Sequence, residues 1–100
     1  MAEKKNFKDI KNIINKSKPF LAEKYKVKDI GIFGSYARRE QKENSDLDVL
    51  VEFNERVGFF KFLELEEYLR ELLKVNIDLV TKKALKPRIG QNILNEVVMI

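Results

Sequence analysis

The fold is decided by residues 27–53, which read VKDIGIFGSYARREQKENSDLDVLVEF. The stretch opens with a β-prone run that ends at Gly34, and good helix formers occupy 35–42 after it. This order predicts a strand, a tight turn and a helix. Asn, Ser and Asp at 44–46 have turn chemistry, and an apolar run of strand length follows at 47–53. Strands that alternate with helices indicate a sheet layered with helices.

The flanking sequence adds more helical patterns and one further strand. Apolar residues at helical spacing predict a first helix, which Pro19 either kinks or restarts. The patterns predict helices at 6–25, 59–73 and 87–100, the last with Pro87 at its first position, a third strand at 75–80, and a short turn or helix at 81–86. The expected fold class is therefore α/β (α+β), a small mixed β-sheet packed with helices in a single domain over residues 1–100.

The composition excludes several kinds of chemistry. The chain has no Cys and no His, so it has no thiol nucleophile, no imidazole base and no zinc site built from these residues. Catalysis must use carboxylates, hydroxyls, Lys or Arg, together with a hard, oxygen-liganded metal. The first residues lack the apolar core of a signal peptide, and no apolar run is long enough to span a membrane, which predicts a cytoplasmic protein without membrane association.

The net charge of +4 does not by itself predict nucleic-acid binding. Nucleic-acid binding calls for a basic stripe interleaved with base-stacking aromatics. Here the Lys residues of the first segment are spaced around a helix whose other face is apolar. A solvated helix face explains that pattern better.

Gly34 and Ser35 stand where the first strand is predicted to turn into a helix. Such a turn presents backbone N–H groups and the positive end of the helix dipole, which together suit a phosphate. The alternative is that Ser35 is only the N-cap of the helix.

Three aspartates are placed where carboxylates are costly or unusual. Asp46 and Asp48 are two residues apart at the start of a strand, so their side chains project from the same face. Asp78 interrupts the apolar run VNIDLV. If the strands at 47–53 and 75–80 are neighbours, the three carboxylates converge and require cations between them. Their oxygen ligands favour Mg²⁺ or Mn²⁺, and a pair of such ions ~3.5–4 Å apart serves phosphoryl and nucleotidyl transfer.

A structural explanation of the same aspartates stays open at this point. They can form salt bridges with Arg38, Arg39 or Lys side chains, and Asp46 can be a turn residue alone.

These residues resemble a known family. The segment GSYARREQKENSDLDVLV at 34–51, followed by Ile-Asp-Leu at 77–79, is similar to the signature of the DNA polymerase β-like nucleotidyltransferase superfamily, whose palm-like fold it implies. The length and the GSYAR segment look most like the minimal nucleotidyltransferases (MNT), the antitoxin halves of two-gene modules whose toxin has a HEPN domain. The resemblance runs over nearly the whole chain.

The resemblance implies a role for each matching residue. It places Gly34 and Ser35 in the loop that binds the triphosphate, and Arg38 at a phosphate contact or a structural ion pair. It makes Asp46 and Asp48 the shared ligands of two Mg²⁺ ions, and Asp78 the third catalytic carboxylate. The chain departs from the family at Arg39, which stands where a Gly is usual. If that Gly has a left-handed backbone, the loop here is strained or differently shaped.

The resemblance also implies a reaction and a partner. It implies Mg²⁺-dependent transfer of AMP from ATP to a protein hydroxyl, a tyrosine of a cognate HEPN toxin, in a type VII-like toxin–antitoxin module. The alternative is a non-catalytic antitoxin that neutralises its toxin by binding alone. The last eight residues hold six apolar ones, which predicts an exposed patch for the toxin or for a homo-oligomer: Ile93, Leu94, Val97, Val98, Met99 and Ile100.

Overall fold

The computed structural model describes residues 6–42, 44–84 and 87–100, the last range without the side chains of 87–91. Helix α1 spans Phe7–Tyr25 and continues through Pro19, so the first predicted helix is one element. Asn6 caps its start by accepting the backbone N–H of Asp9 at 2.9 Å. Lys26 ends it in the left-handed conformation, which allows its N–H to donate to the carbonyl of Leu21.

Four strands form one mixed sheet in the order β3-β2-β1-β4. They are β1 (Val27–Phe33), β2 (Leu47–Phe53), β3 (Ile77–Thr81) and β4 (Val98–Met99). Strand β1 is antiparallel to both β2 and β4, whereas β2 and β3 are parallel. The remaining elements are helix α2 (Phe59–Leu73), a 3-10 turn at Lys82–Ala84 and helix α3 (Pro87–Glu96). The predicted mixed α+β fold is confirmed.

The two faces of the sheet differ in chemistry. Leu47, Val49 and Val51 of β2 are fully buried in the core, where α1 packs on α2 and β1 and α2 packs on β3. The residues between them project from the opposite face. That alternation puts Asp48 and Glu52 on the face that α1 and α2 leave uncovered.

The helix predicted at 35–42 does not form. Residues 34–39 are a turn in which the Arg38 N–H donates to the Gly34 carbonyl at 3.1 Å. Both Gly34 and Arg39 are left-handed, with φ of 74° and 59°, and a right-handed helix cannot propagate through them. The prediction of a helix was therefore wrong, although each residue between them is an acceptable helix former.

The C-terminal helix is shorter than predicted, because it ends at Glu96 and the chain then adds β4 to the open edge of β1. The Ile100 N–H donates to the Ile30 carbonyl at 2.9 Å. Gly31 permits this close pairing, since a Cβ there would lie 2.7 Å from Met99 Sδ and 2.8 Å from Val97 Cγ2. A β-prone apolar run beside an unpaired edge is more stable as a strand than as a frayed helix end.

The predicted C-terminal apolar patch is only partly exposed. Leu94 and Met99 are 43% and 48% exposed, while the other four residues of that segment are half-buried. Among the described residues, no helix is both long and apolar enough to cross a membrane. The homo-oligomer stays a prediction.

Replacing Pro19 with Ala should stabilise the fold. Pro19 lies inside α1, where proline removes a backbone hydrogen bond and costs ~3 kcal/mol relative to Ala. Proline also restricts the unfolded chain, which offsets part of this cost. We expect Pro19→Ala to raise the free energy of unfolding by about 1–2 kcal/mol in urea denaturation. Glu23→Ala, at an exposed position of the same helix, is the control and should change it by less than about 0.5 kcal/mol. Equal values for the two variants would contradict the prediction.

Candidate functional site

Asp48 and Asp78 lie directly opposite each other on neighbouring strands. They are register partners in the parallel pairing of β2 and β3. Each is flanked by core residues, so both side chains project from the face opposite α1 and α2. Asp48 is half-buried and Asp78 is exposed. The predicted neighbouring strands are therefore present, and they bring these two carboxylates together.

The electrostatics of Asp48 show what surrounds it. The pKa of the Asp48 carboxyl is raised from 3.8 to about 6, chiefly by burial and also by the charge of Asp78, a hydrogen bond with Asp78 and the charge of Asp46. The Arg38 guanidinium acts in the opposite direction. Because such charge effects act over a few ångströms, three carboxylates and one cation share this region.

Asp46 reaches the same region from the turn before β2. The Lys42 N–H donates to Ser45 Oγ at 2.7 Å, and the Leu47 N–H donates to the Asn76 carbonyl at 2.8 Å, which anchors both sides of Asp46. Asp46 is exposed, and its charge also adds to the effect of burial in raising the pKa of the Tyr36 hydroxyl.

Gly34 packs directly against Asp48. A Cβ built on Gly34 would overlap Asp48 Oδ2 and lie 3.0 Å from its Cγ, and the φ of 74° adds a backbone conformation that other residues rarely adopt. Glycine is therefore required here for both space and conformation. The half-buried Ser35 follows it at the rim, but no helix begins there, so Ser35 is not an N-cap and the turn does not present a helix N-terminus.

The backbone N–H of Gly34 is already used. It donates to Glu96 Oε1 at 2.9 Å, and Arg38 Nη1 contacts the same carboxylate at 3.1 and 3.2 Å. Arg38 Nε also donates to Glu40 at 3.1 Å. Glu96 was missed by the sequence analysis, because a Glu near the end of an amphipathic segment looks like any solvated surface residue.

Arg39 has the left-handed backbone expected of the Gly that is usual at this position. Its guanidinium lies 5.8 Å from the centre of the Phe7 ring, a cation–π contact that offsets part of the conformational cost. The turn closes in spite of the substitution, with the Glu40 N–H donating to the Ser35 carbonyl at 2.8 Å.

Neither salt bridges nor a preformed metal site accounts for the three aspartates by itself. Within residues 6–42, 44–84 and 92–100, no ion pair joins Asp46, Asp48 or Asp78 to a Lys or Arg, because Arg38 pairs with Glu40 and Glu96. In the same part of the chain, no three acidic side chains are already arranged around one metal position.

A separate apolar groove of about 450 Å³ lies at the other end of β2, away from the aspartates. It is bordered by strand ends, the loop before α2 and the exposed start of that helix: Val51, Phe53, Val57, Phe59, Phe62 and Thr81. It carries none of the residues that the sequence analysis selected.

The sequence of this chain is similar to those of known proteins. Residues 14–100 match the nucleotidyltransferase domain family. A protein adenylyltransferase, MntA of Thermococcus cleftensis, is 48% identical over 92 residues, covering 92% of this chain and 93% of the relative. A Methanocaldococcus jannaschii protein, provisionally named for the same activity, is 52% identical over 97 residues, covering 96% of this chain and 99% of the relative.

Solved structures share the fold. A structure described as a minimal nucleotidyltransferase superposes with a TM-score of 0.84 at 29% identity, covering 97% of this chain and 98% of the other. A toxin–antitoxin structure with AMP-PNP superposes with a TM-score of 0.73 at 27% identity, covering 88% of this chain and 69% of the other. An MNT antitoxin bound to a tri-AMPylated HEPN toxin of Shewanella oneidensis gives 0.66 at 22% identity, covering 90% and 70%, and supports the fold alone. The chain belongs to the nucleotidyltransferase domain family, as a minimal nucleotidyltransferase homologous to protein adenylyltransferases.

Proposed function

We infer that this protein transfers AMP from ATP to a tyrosine hydroxyl of a HEPN-domain toxin, as the antitoxin of a type VII-like module. The observation that carries the proposal is the register pairing of Asp48 with Asp78 beside the Gly34 turn. The naming of relatives as protein adenylyltransferases supports the reaction. The toxin–antitoxin structure with AMP-PNP, at 27% identity, supports ATP as the donor and a toxin as the partner.

The donor set fits Mg²⁺ in its chemistry. The charges of Asp78 and Asp46 raise the pKa of Asp48, so the negative charges near Asp48 outweigh the positive charge of Arg38. The carboxylate oxygens are ligands of the type that Mg²⁺ prefers. Asp46 and Asp78 are exposed, so they can change rotamer without disturbing the core. We assign Asp46, Asp48 and Asp78 as the residues that would hold the metal. When bound, it supplies charge neutralisation for the triphosphate and activation of the attacking oxygen.

The chain's own residues divide the remaining work. The Gly34–Ser35 turn and Arg38 border the carboxylates and are assigned to the triphosphate. In the reaction, the acceptor oxygen bonds to the α-phosphorus of ATP and the bond from that phosphorus to the bridging oxygen of the β-phosphate breaks. Pyrophosphate leaves, and the hydroxyl proton passes to the Asp78 carboxylate.

The alternative is an antitoxin that acts by binding alone. It draws support from Arg39, which stands where a Gly is usual and has a left-handed backbone that is costly for a residue with a side chain.

Asp78→Asn should separate the two functions. The variant keeps the shape of the side chain and removes the charge that accepts the proton, so it should still bind the toxin while AMP transfer falls by at least about 100-fold. The protein to test is the product of the adjacent gene, which the proposal expects to be a HEPN toxin. The measurement is intact-protein mass spectrometry of the toxin after incubation with ATP and Mg²⁺, run beside a toxicity assay.

Asp29→Asn is the matched control, since Asp29 is also exposed and on a strand, and it should transfer AMP as the wild type does. If wild type and Asp78→Asn silence the toxin equally and neither adds AMP mass, the binding-only antitoxin is correct.

Asp48→Asn should stabilise the metal-free protein in a pH-dependent manner. A pKa raised from 3.8 to about 6 means that the folded state binds the proton more tightly than the unfolded chain does. The wild type therefore loses stability as the pH rises from about 4 through 6, and the uncharged Asn avoids this loss. We expect the variant to be about 1–2 kcal/mol more stable at pH 8, after allowance for solvent screening, and nearly equal to the wild type below pH 4.

Thermal unfolding across this pH range, with and without Mg²⁺, measures the effect. Mg²⁺ should raise the Tm of the wild type more than that of Asp48→Asn, because the variant has lost a ligand. A variant less stable than the wild type at pH 8 without Mg²⁺ would show that the Asp48 charge is stabilised by its surroundings.

A further inference from the structure

Glu96, the last residue of α3, contacts the turn that begins 62 positions earlier in the chain. Its Oε1 accepts the Gly34 N–H at 2.9 Å, and both of its oxygens contact Arg38 Nη1, at 3.1 and 3.2 Å. One carboxylate therefore joins the first residue of the turn to the side chain of the fifth. The Arg38 N–H also donates to the Gly34 carbonyl, which closes the same turn from the backbone.

The strand register explains why a side chain makes this contact. Strands β1 and β4 pair Gly31 with Met99 and Ile32 with Val98, so two further steps would place residue 96 opposite Gly34. Residue 96 is still helical, however, and its backbone cannot continue the ladder. The Glu96 carboxylate takes the place of the missing strand carbonyl. It satisfies an N–H that would otherwise lack a partner at the end of β1.

The contact with Arg38 adds charge to this geometry. The Glu96 and Arg38 side chains are 34% and 47% exposed, and an isolated pair at that exposure contributes little. Here the same carboxylate also accepts a backbone N–H, so its position is set from two directions. The pairing restricts a guanidinium whose charge already acts on Asp48.

We propose that Glu96 is a positioning residue for the nucleotide: it holds the Gly34–Ser35 turn and Arg38 in the shape that receives the triphosphate. This proposal rests on the proposed function, since it assigns that turn to ATP. It places the C-terminal segment, and not only the GSYAR segment, in control of nucleotide affinity.

Two substitutions separate the two contacts. Glu96→Gln keeps an oxygen that can accept the Gly34 N–H but loses the charged pair with Arg38, whereas Glu96→Ala loses both. The control is Glu67→Ala, which removes a surface carboxylate–arginine contact of 2.6 Å to Arg70 on α2.

The first measurement is calorimetric titration with AMP-PNP and Mg²⁺. We expect Kd to rise about tenfold for Glu96→Ala and about threefold for Glu96→Gln, with one site per chain retained, and to stay unchanged for Glu67→Ala. A merely structural role would lower Tm and the bound fraction but leave the Kd of the folded protein unaltered. In a cycle with Arg38→Ala, the effects of Glu96→Ala and Arg38→Ala should be less than additive.

The second measurement is amide hydrogen exchange at Gly34 without nucleotide. The Gly34 N–H should be protected from exchange in the wild type and in Glu96→Gln, and should lose that protection in Glu96→Ala. If the wild type binds AMP-PNP and Glu96→Ala binds it equally well or more tightly, the positioning proposal is overturned. If the wild type fails to bind AMP-PNP with Mg²⁺, the proposed function fails, and Gly34 exchange then decides by itself whether Glu96 orders the turn.

Discussion

The contact between the Asp48 carboxylate and the bare Cα of Gly34 is the constraint on which the site depends. It brings the end of β1 and the start of β2 closer than any side chain on residue 34 would allow. It also keeps Asp48 half-buried, and burial is the main reason that its pKa rises. The same closeness puts the turn of 34–39 beside the carboxylates, where it can share one ligand with them.

The three aspartates near the Gly34 turn destabilise the folded state, and the packing of the core offsets this effect. Repulsion among Asp46, Asp48 and Asp78 opposes folding at neutral pH in the absence of a cation. The fully buried residues that alternate with Asp48 on β2 pack against α1 and α2 and hold the strand in register. A one-residue slip of β2 would exchange these two sets, so the core specifies which face carries the charges.

The C-terminal segment completes the sheet on the opposite side of β1. Gly31 gives β4 room to pair, Ile100 closes the ladder at Ile30, and the Lys18 ammonium donates to the Ile100 carbonyl at 2.8 Å. These contacts place Glu96 where its carboxylate reaches both Gly34 and Arg38. Edge pairing and the geometry of the turn at 34–39 are therefore coupled through a few residues at the end of the chain.

The sequence by itself determined the first three strands, the long helices, the side of β2 that carries charge, and the family, because each follows from local periodicity or from residues at short, fixed spacing. The family resemblance also identified Arg39 as standing where a Gly is usual, and the structure gives that residue a left-handed backbone. Only the tertiary structure decided that 34–39 form a turn in place of the helix predicted at 35–42, and that 98–99 form a strand. It alone placed Asp78 in register with Asp48 and carried Glu96 to Gly34. Those outcomes depend on strand pairing between distant segments, whose free energy local propensity does not contain.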